Sequence, residues 1–470
     1  MTAWLHIIGV GESGIAALPA STRLIVTYAE TVLGPPRFLA ELEESLRTSD
    51  TPSEFSPADM VNQRSLEAVA RALLDVENGT RDGDDDDEGD DEEDDDESAF
   101  PRRGDDEMPN LVEWEGGLDR MLGQVLRLRD SPTVILATGD PMWFGIGATL
   151  AKNLAADEFE VHPQPSAFQL AAAALRWPLQ NVDCISLHGR PIDTIHPYVV
   201  PGNRIIALTA DANTAHDVAD LLIARGYSSS MMTVLESLGG PAERSTTAPA
   251  VDLDVATIGD FYVLGIDCVA NADAVLLTRA PGLPDSAFQH DGQLTKREIR
   301  AATLAKLMPV PGELLWDVGA GCGSVAIEWM RGARGANAVA FEREEDRRRM
   351  IAANAAALGV PSLRIEEGEA PASLEAMPSP DAVFIGGSVA SDEIFSFCWQ
   401  ALKPGGRLVA NAVTVEGELA LFARQKRYGG DLIRLDTAVL DTVGELKVMR
   451  PRMAVLQWSV VKPPQWLSVV

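Results

Sequence analysis

The stretch Leu314–Met330, LLWDVGAGCGSVAIEWM, constrains the fold of this 470-residue chain more than any other. An apolar run ends in Asp317, enters Gly319-Ala320-Gly321-Cys322-Gly323 and continues with apolar residues at helical spacing. That order is a buried strand, a tight turn and a helix. Glycines let the backbone turn sharply and approach a ligand where a side chain would collide. The spacing is G-x-G-x-G, not the G-x-G-x-x-G of a dinucleotide site. A second strand, Ala338–Phe341, closes on Glu342, a carboxylate placed to hold a ribose diol. Together these features predict an S-adenosylmethionine (SAM) pocket at the carboxyl ends of adjacent parallel strands. The plain alternative is a glycine turn in an ordinary α/β sheet.

The length predicts two or three domains. No run of ~18 apolar residues could span a membrane, and no basic-then-apolar leader opens the chain, so a cytoplasmic protein is expected. Cys184, Cys268, Cys322 and Cys398 are far apart and form no C-x-x-C pair. They read as free thiols in a reducing compartment, with no zinc or disulfide framework. The six histidines are scattered, and no metal site is read from them. The net charge is −32, and fourteen of the sixteen residues from Asp82 to Glu97 are acidic. Such a run repels itself and buries nothing, so residues 78–109 are expected to be a disordered, solvated insertion. The rest of the chain is also acidic, without an obvious basic face, which argues against a nucleic-acid partner.

The first half opens with the strand Trp4–Ile8 and Gly9-Val10-Gly11-Glu12-Ser13-Gly14. This does match G-x-G-x-x-G, but Pro19 falls inside the helix such a site needs. A proline there costs ~3 kcal/mol, so only a short or broken helix is expected. A second strand-to-glycine junction runs from Thr133–Thr138 into Gly139-Asp140-Pro141 and Gly145-Ile146-Gly147. Helical patterns at Phe168–Leu175 and His216–Ala224 alternate with strands Arg204–Thr209 and Phe261–Gly265, the mark of an α/β fold. Residues 279–292 are rich in proline, glycine and polar residues and read as a linker. Beyond them Thr295 is placed to cap a helix Lys296–Leu307, with Glu298 at capping-box spacing. Strands at Leu363–Ile365, Asp381–Ile385, Arg407–Asn411, Asp431–Leu440 and Met453–Val461 complete a seven-stranded sheet.

These motifs carry a resemblance. TKREIR (Thr295–Arg300), DVGAGCGSVAIEW, GEAPASL (Gly368–Leu374), FIGG (Phe384–Gly387) and KPGGRLV resemble the decarboxylating precorrin methyltransferases of cobalamin biosynthesis. IIGVGESG, ATGDPMWFGIG, PQPSAFQLAAAALRWP and LESLGGPAER resemble the tetrapyrrole methylase family. The resemblance implies a tetrapyrrole methylase domain at 1–278, two α/β lobes with a cleft, and a linker at 279–292. A Rossmann-like seven-stranded SAM methyltransferase domain follows at 293–470. It implies methylation of precorrin-6B at C-15 with loss of carbon dioxide from the ring C acetate, then methylation at C-5, giving precorrin-8X. Two SAM sites follow. Thr295, Gly319, Ala320, Gly321, Cys322, Gly323, Glu342, Gly368, Glu369 and Ala370 would form the second. Gly11, Gly139, Asp140, Pro141 and Ser166 would form the first. The family's G-P-G-type turn is replaced by Gly11-Glu12-Ser13-Gly14, and Pro35-Pro36 and the acidic insertion also depart from it. A homo-oligomer through the C-terminal domain is implied as well.

Methyl transfer from a sulfonium needs positioning and exclusion of water more than a catalytic triad, and no triad is visible. His290 is the candidate proton carrier. A substrate with several carboxylates calls for local cations, and Lys296, Arg297, Arg300, Arg450 and Arg452 are the candidates. Lys296 and Arg450 lead. Two other readings stay open. One is a SAM enzyme acting on tRNA or protein, with a non-catalytic first domain. The other is an NAD-dependent first domain, against which Pro19 weighs.

Overall fold

The computed structural model describes residues 3–48, 108–114, 116–254, 258–368, 371–375 and 377–464. The insertion expected at 78–109 lies outside them except for its last two residues, as do Glu369 and Ala370. The described residues are α/β, with a parallel sheet in the first unit and a mostly parallel and a mostly antiparallel main sheet in the second. They fall into two compact units, Met1–Leu170 with Ser237–Glu243 and Ala171–Glu236 with Arg244–Val470.

In the first unit β1 (Leu5–Val10), β2 (Thr31–Gly34), β3 (Asn110–Glu113), β4 (Thr133–Thr138) and β5 (Phe159–His162) form a parallel sheet ordered β3-β2-β4-β1-β5. Both faces are covered. Ile8, Val10 and Val134 pack with α1 (Ala20–Tyr28) and α2 (Pro36–Thr48). Leu5, Ile7 and Ile135 pack with α3 (Leu118–Arg127). Burial on both faces is why β1 and β4 read as unbroken apolar runs. Pro19 breaks the segment after β1 as expected, leaving a 3-10 turn at Ile15–Ala17 before α1. The unit boundary falls within α4 (Ala167–Leu175).

The second unit holds two main sheets. The smaller contains β6 (Asp183–Ser186), β7 (Arg204–Leu208), β8 (Met231–Glu236), β9 (Arg244–Pro249) and β10 (Tyr262–Asp267), ordered β6-β7-β10-β8-β9, with α5 (Thr214–Ala224) against it. The larger follows α6 (Arg297–Leu307). Its elements are β11 (Leu314–Val318), α7 (Ser324–Gly332), β12 (Asn337–Glu342), α8 (Glu345–Ala357), β13 (Arg364–Glu367), β14 (Ala382–Ile385), α9 (Asp392–Ala401), β15 (Arg407–Ala412), α10 (Val415–Tyr428), β16 (Asp431–Leu435) and β19 (Val455–Val461). The seven strands are ordered β13-β12-β11-β14-β15-β19-β16, and β19 runs opposite to the other six. α6, α7 and α8 cover one face and α9 and α10 the other. The chain builds outward from β11 through β12 and β13, then crosses back to β14. Ligands of open α/β sheets bind at such a switch point, beyond the carboxyl strand ends.

Three local expectations change. Thr295 does not cap α6: the N-cap is Lys296, with no side-chain cap bond. Asp285 Oδ1 instead accepts from Arg297 N (2.9 Å), placing a carboxylate at the helix start from outside the helix. The expected linker is packed, not loose. Leu283 and Phe288 are buried in the core, and Glu328 accepts from the backbone N–H groups of Gly282 (2.6 Å) and Leu283 (2.9 Å). The strand expected over Asp431–Leu440 is split. Its second part, β17 (Ala438–Val443), pairs with β18 (Leu446–Pro451) in a separate hairpin.

Candidate functional site

Val318 pairs in register with both Phe341 and Ile385, so β11, β12 and β14 end level. A cavity of about 660 Å³ opens beyond them. Gly319 has a φ of 75°, and a Cβ there would sit 2.8 Å from Gly387 N. Only glycine permits that contact between the β11 and β14 turns. Gly319, Ala320 and Gly321 line the cavity. Cys322 and Gly323 do not. Cys322 is core, its thiol pushed up to about 11 by burial, and a side chain at Gly323 would meet Ile351.

Glu342 forms another wall. Its Oε2 accepts from Gly321 N (2.8 Å) and its Oε1 from Glu344 N (3.1 Å). Each carboxylate oxygen can accept a second bond, which leaves capacity for a ligand diol. Behind it Asp317 is buried, with Oδ2 accepting from Ala326 N (3.0 Å). Burial pushes this carboxyl up to about 7; the Ala326 bond opposes the shift and the neighbouring Glu342 charge adds to it. Folding therefore takes up a proton here, and the penalty for ionising Asp317 grows as pH rises from about 4 through about 7. Asp317→Asn is expected to narrow the difference in stability between about pH 5 and about pH 8. Urea melts of both proteins check this, and identical pH dependence would exclude it.

Sequence reasoning missed several cavity residues. Arg347 lines it and pairs with Asp291 (2.9 Å). The hydrogen bond from Gln293 N, then the Arg347 guanidinium, hold the Asp291 carboxyl below its ordinary value. Asn411, from β15, is fixed by Thr303 (2.9 Å) and Gln457 (2.9 Å). Thr437 and Met453 come from the base of the β17–β18 hairpin, closed by the bond from Arg452 N to Thr437 O (2.9 Å). The only signal for Asn411 was a polar residue inside an apolar strand.

The expected cations separate. Lys296, Thr295 and Arg452 line the cavity, Arg452 beside Glu298 at 3.3 Å. Arg300 cannot grip a substrate: it is wholly buried, bonded through Nε to Glu328 (2.6 Å) and through Nη1 to Thr295 O (2.6 Å). Arg297 is exposed and outside the lining. Arg450 sits on β18, exposed and ion-paired with Asp441, outside the cavity lining. His290 is also exposed and outside it, its Nδ1 accepting from Gly292 N (3.1 Å). Gly368 lines the cavity.

Two family models match the chain, Tetrapyrrole (Corrin/Porphyrin) Methylases over residues 5–254 and Precorrin methyltransferase domain over residues 286–462. Over 98% of its length the chain is 38% identical to 96% of the precorrin-6Y C(5,15)-methyltransferase (decarboxylating) of Sinorhizobium sp. Over 70% of its length it is 42% identical to 82% of the protein of that name from Mycobacterium tuberculosis. The chain belongs to the precorrin-6Y C5,15-methyltransferase (decarboxylating) family. The C-terminal domain of precorrin-6Y C5,15-methyltransferase from Rhodobacter capsulatus, a crystal structure, is covered in full by 40% of this chain at 44% identity, with a TM-score of 0.38.

SAM fits the second-unit residues of this methyltransferase. Backbone is open at Gly319 and Gly321, a carboxylate with spare acceptor capacity stands at Glu342, and Phe341, Phe384 and Ile394 give an apolar wall. In the first unit the residues expected to flank a second SAM converge. Gly139 N donates to Val10 O (2.8 Å), and a Cβ on Gly139 would lie 3.5 Å from Ser166 Cα. Asp140 Oδ1 accepts from Met142 N (2.8 Å), fixing the turn that holds Pro141. Ser166 is buried and exchanges bonds with Gln169. A Cβ on Gly11 would meet nothing within 4 Å, so that position is open. The Gly11–Gly14 loop does not suit a pyrophosphate: Ile15 N donates to the Glu41 carboxylate (2.7 Å). An acid already takes the helix-start N–H that a dinucleotide phosphate would use.

Proposed function

We propose that this chain methylates precorrin-6B at C-5 and C-15 and removes the ring C acetate carboxyl as carbon dioxide, giving precorrin-8X in cobalamin biosynthesis in the cytoplasm. The observation that carries this reading is the switch-point cavity walled by Gly319–Gly321 and Glu342, in a chain matched by both methyltransferase families. The reading has a first domain at 1–278, built as two α/β lobes that methylate C-5. A Rossmann-like domain at 293–470 methylates C-15 and decarboxylates. Each domain holds one SAM, the first on the loops after β1, β4 and β5. SAM supplies an electrophilic methyl group when bound. The chain's own residues hold the electron-rich ring carbon in line and keep water out.

Losing carbon dioxide leaves an electron pair that the conjugated macrocycle accepts, so the protein needs no covalent group for it. A cation on the departing carboxylate would stabilise the ground state and slow the step. Lys296 and Arg452 therefore grip the other carboxylates, and the scissile acetate faces Ile394, Val413 and Met453. Arg452→Ala is expected to raise KM for C-15 methylation and decarboxylation together, by roughly tenfold for one charge-assisted bond. Loss of decarboxylation alone, with normal C-15 methylation, would put Arg452 in the chemistry instead. A labelled-SAM transfer assay offering precorrin-6B, RNA and protein tests the whole reading: label is expected in the tetrapyrrole, and label in RNA or protein alone would overturn it.

A homo-oligomer through the second domain is part of the proposal. Leu440, Leu446 and Met449 on the hairpin and Val415, Leu419 and Phe422 on α10 are exposed, more apolar surface than single scattered residues leave. The Leu419→Glu, Leu446→Glu double variant is expected to lower the mass measured by light scattering to that of one chain. A wild-type protein already of that mass would contradict the assignment.

A further inference from the structure

His6, Glu160 and His162 are more than 150 positions apart at the extremes of this set, yet strand register brings them together. β1 and β5 run parallel, with His6 opposite Glu160 and Ile8 opposite His162. Residues two apart on a strand share a face, so Glu160 and His162 point the same way. His6 Nδ1 lies 2.9 Å from His162 Nε2 and 3.8 Å from Glu160 Oε2. The rings stack with centroids 5.2 Å apart, and the three candidate ligand atoms all lie within 4.8 Å of one another.

We propose that His6, His162 and Glu160 form a binding site for a zinc-class divalent ion on the first unit, separate from the methyl-transfer sites. Two imidazole nitrogens and one carboxylate oxygen are a common protein set for zinc, with the fourth position left to water. Tetrahedral bonds of about 2.0–2.2 Å put ligand atoms roughly 3.3–3.6 Å apart. The 2.9 Å and 3.8 Å separations lie on either side of that range. The buried His6 is the fixed donor, and Glu160, with 62% of its side chain exposed, is free to swing inward.

The protonation states agree. Burial lowers the His6 pKa, helped by His162 and opposed by Glu160, and burial likewise lowers that of His162. Both rings are therefore neutral at neutral pH, the form that ligates metals. In the metal-free pair one of the facing nitrogens carries the shared proton. On binding, that proton moves to the other nitrogen of its own ring through solvent, so both facing lone pairs reach the ion without net proton release. Imidazole donors favour zinc, cobalt, nickel and copper over magnesium or calcium.

The site has a structural consequence. β5 is an edge strand and, among the described residues, pairs with β1 alone. β1 leads into Gly9–Gly11 and β5 toward Ser166. Gly9 is so close to the β5 side that a Cβ there would lie 2.9 Å from Gln164 N. An ion joining the two strands would pin the edge strand and hold in place the loops assigned to the first SAM.

The test uses the full-length protein, stripped of metal and titrated with cobalt(II) near neutral pH, with excess magnesium added to compete for the acidic run Asp82–Glu97. One equivalent is expected to give the intense visible bands of four-coordinate cobalt without thiolate charge transfer, and zinc should displace it. His162→Gln and Glu160→Gln should each weaken binding at least tenfold. Zinc should raise the melting temperature of the wild type but not of His162→Gln. No saturable binding, a thiolate band, or wild-type affinity in both variants would overturn the proposal. Glu160, on the surface, provides the variant least able to disturb folding.

Discussion

Glu328→Ala is expected to destabilise the second unit by about 3–5 kcal/mol, the scale for breaking a buried ion pair by removing one partner. Glu328 is 2% exposed and Arg300 not exposed at all. The carboxylate accepts from Arg300 Nε at 2.6 Å and from two backbone N–H groups of the segment 282–283. Alanine would strand two amides and leave the buried guanidinium with Asp285, at 3.3 Å, as its acidic partner in place of Glu328. Glu328→Gln keeps acceptor capacity and should cost less. Denaturant melts of the two variants measure this, and an alanine variant as stable as wild type would mean that the pair is solvated or dispensable. The expectation also bears on the site, because α6, which carries Arg300, begins at the cavity wall formed by Thr295 and Lys296.

Glu342→Ala is expected to remove one of two SAM binding events from a calorimetric titration of the full chain. A carboxylate holding ribose hydroxyls makes charge-assisted bonds worth about 1.5–3 kcal/mol each, so affinity at that site should fall roughly a hundredfold or more. The same carboxylate receives Gly321 N and Glu344 N, so part of the loss comes through the turn it braces. A parallel thermal melt separates the two: loss of affinity with little change in melting places Glu342 on the ligand. An unchanged two-site isotherm would remove it from the pocket.

What could be read from the chain follows the range of the forces involved. β4 and β11 are buried between two layers, so their apolar runs stand out without any partner. Pro19 is covalently unable to sit in a helix interior and breaks it wherever the rest folds. Gly319 announces a turn because nothing larger tolerates its φ of 75° against Gly387. The α6 start shows the limit: Thr295 and Glu298 have capping-box spacing, but Asp285, ten residues before Thr295, takes the Arg297 N–H. Arg300 looked like a surface cation because arginines usually are; only packing reveals Glu328 across from it. The β17–β18 hairpin escaped notice because much of both faces is exposed, which erases the alternation that marks a half-buried strand. Thr437, Met453 and Asn411 reach the cavity through the return of β15, β16 and β19, and His6 meets Glu160 and His162 through register. Such meetings are set by topology, and single-sequence spacing does not carry them.

The central claim, one chain that methylates twice and decarboxylates once, is tested most directly by mass spectrometry of precorrin-6B incubated with the full-length protein and SAM. The expected product has gained two methyl groups and lost one carbon dioxide, with the lost carboxyl mapped to the ring C acetate. A product with a single added methyl group and every carboxyl retained, from protein shown to be folded and to bind SAM, would contradict it.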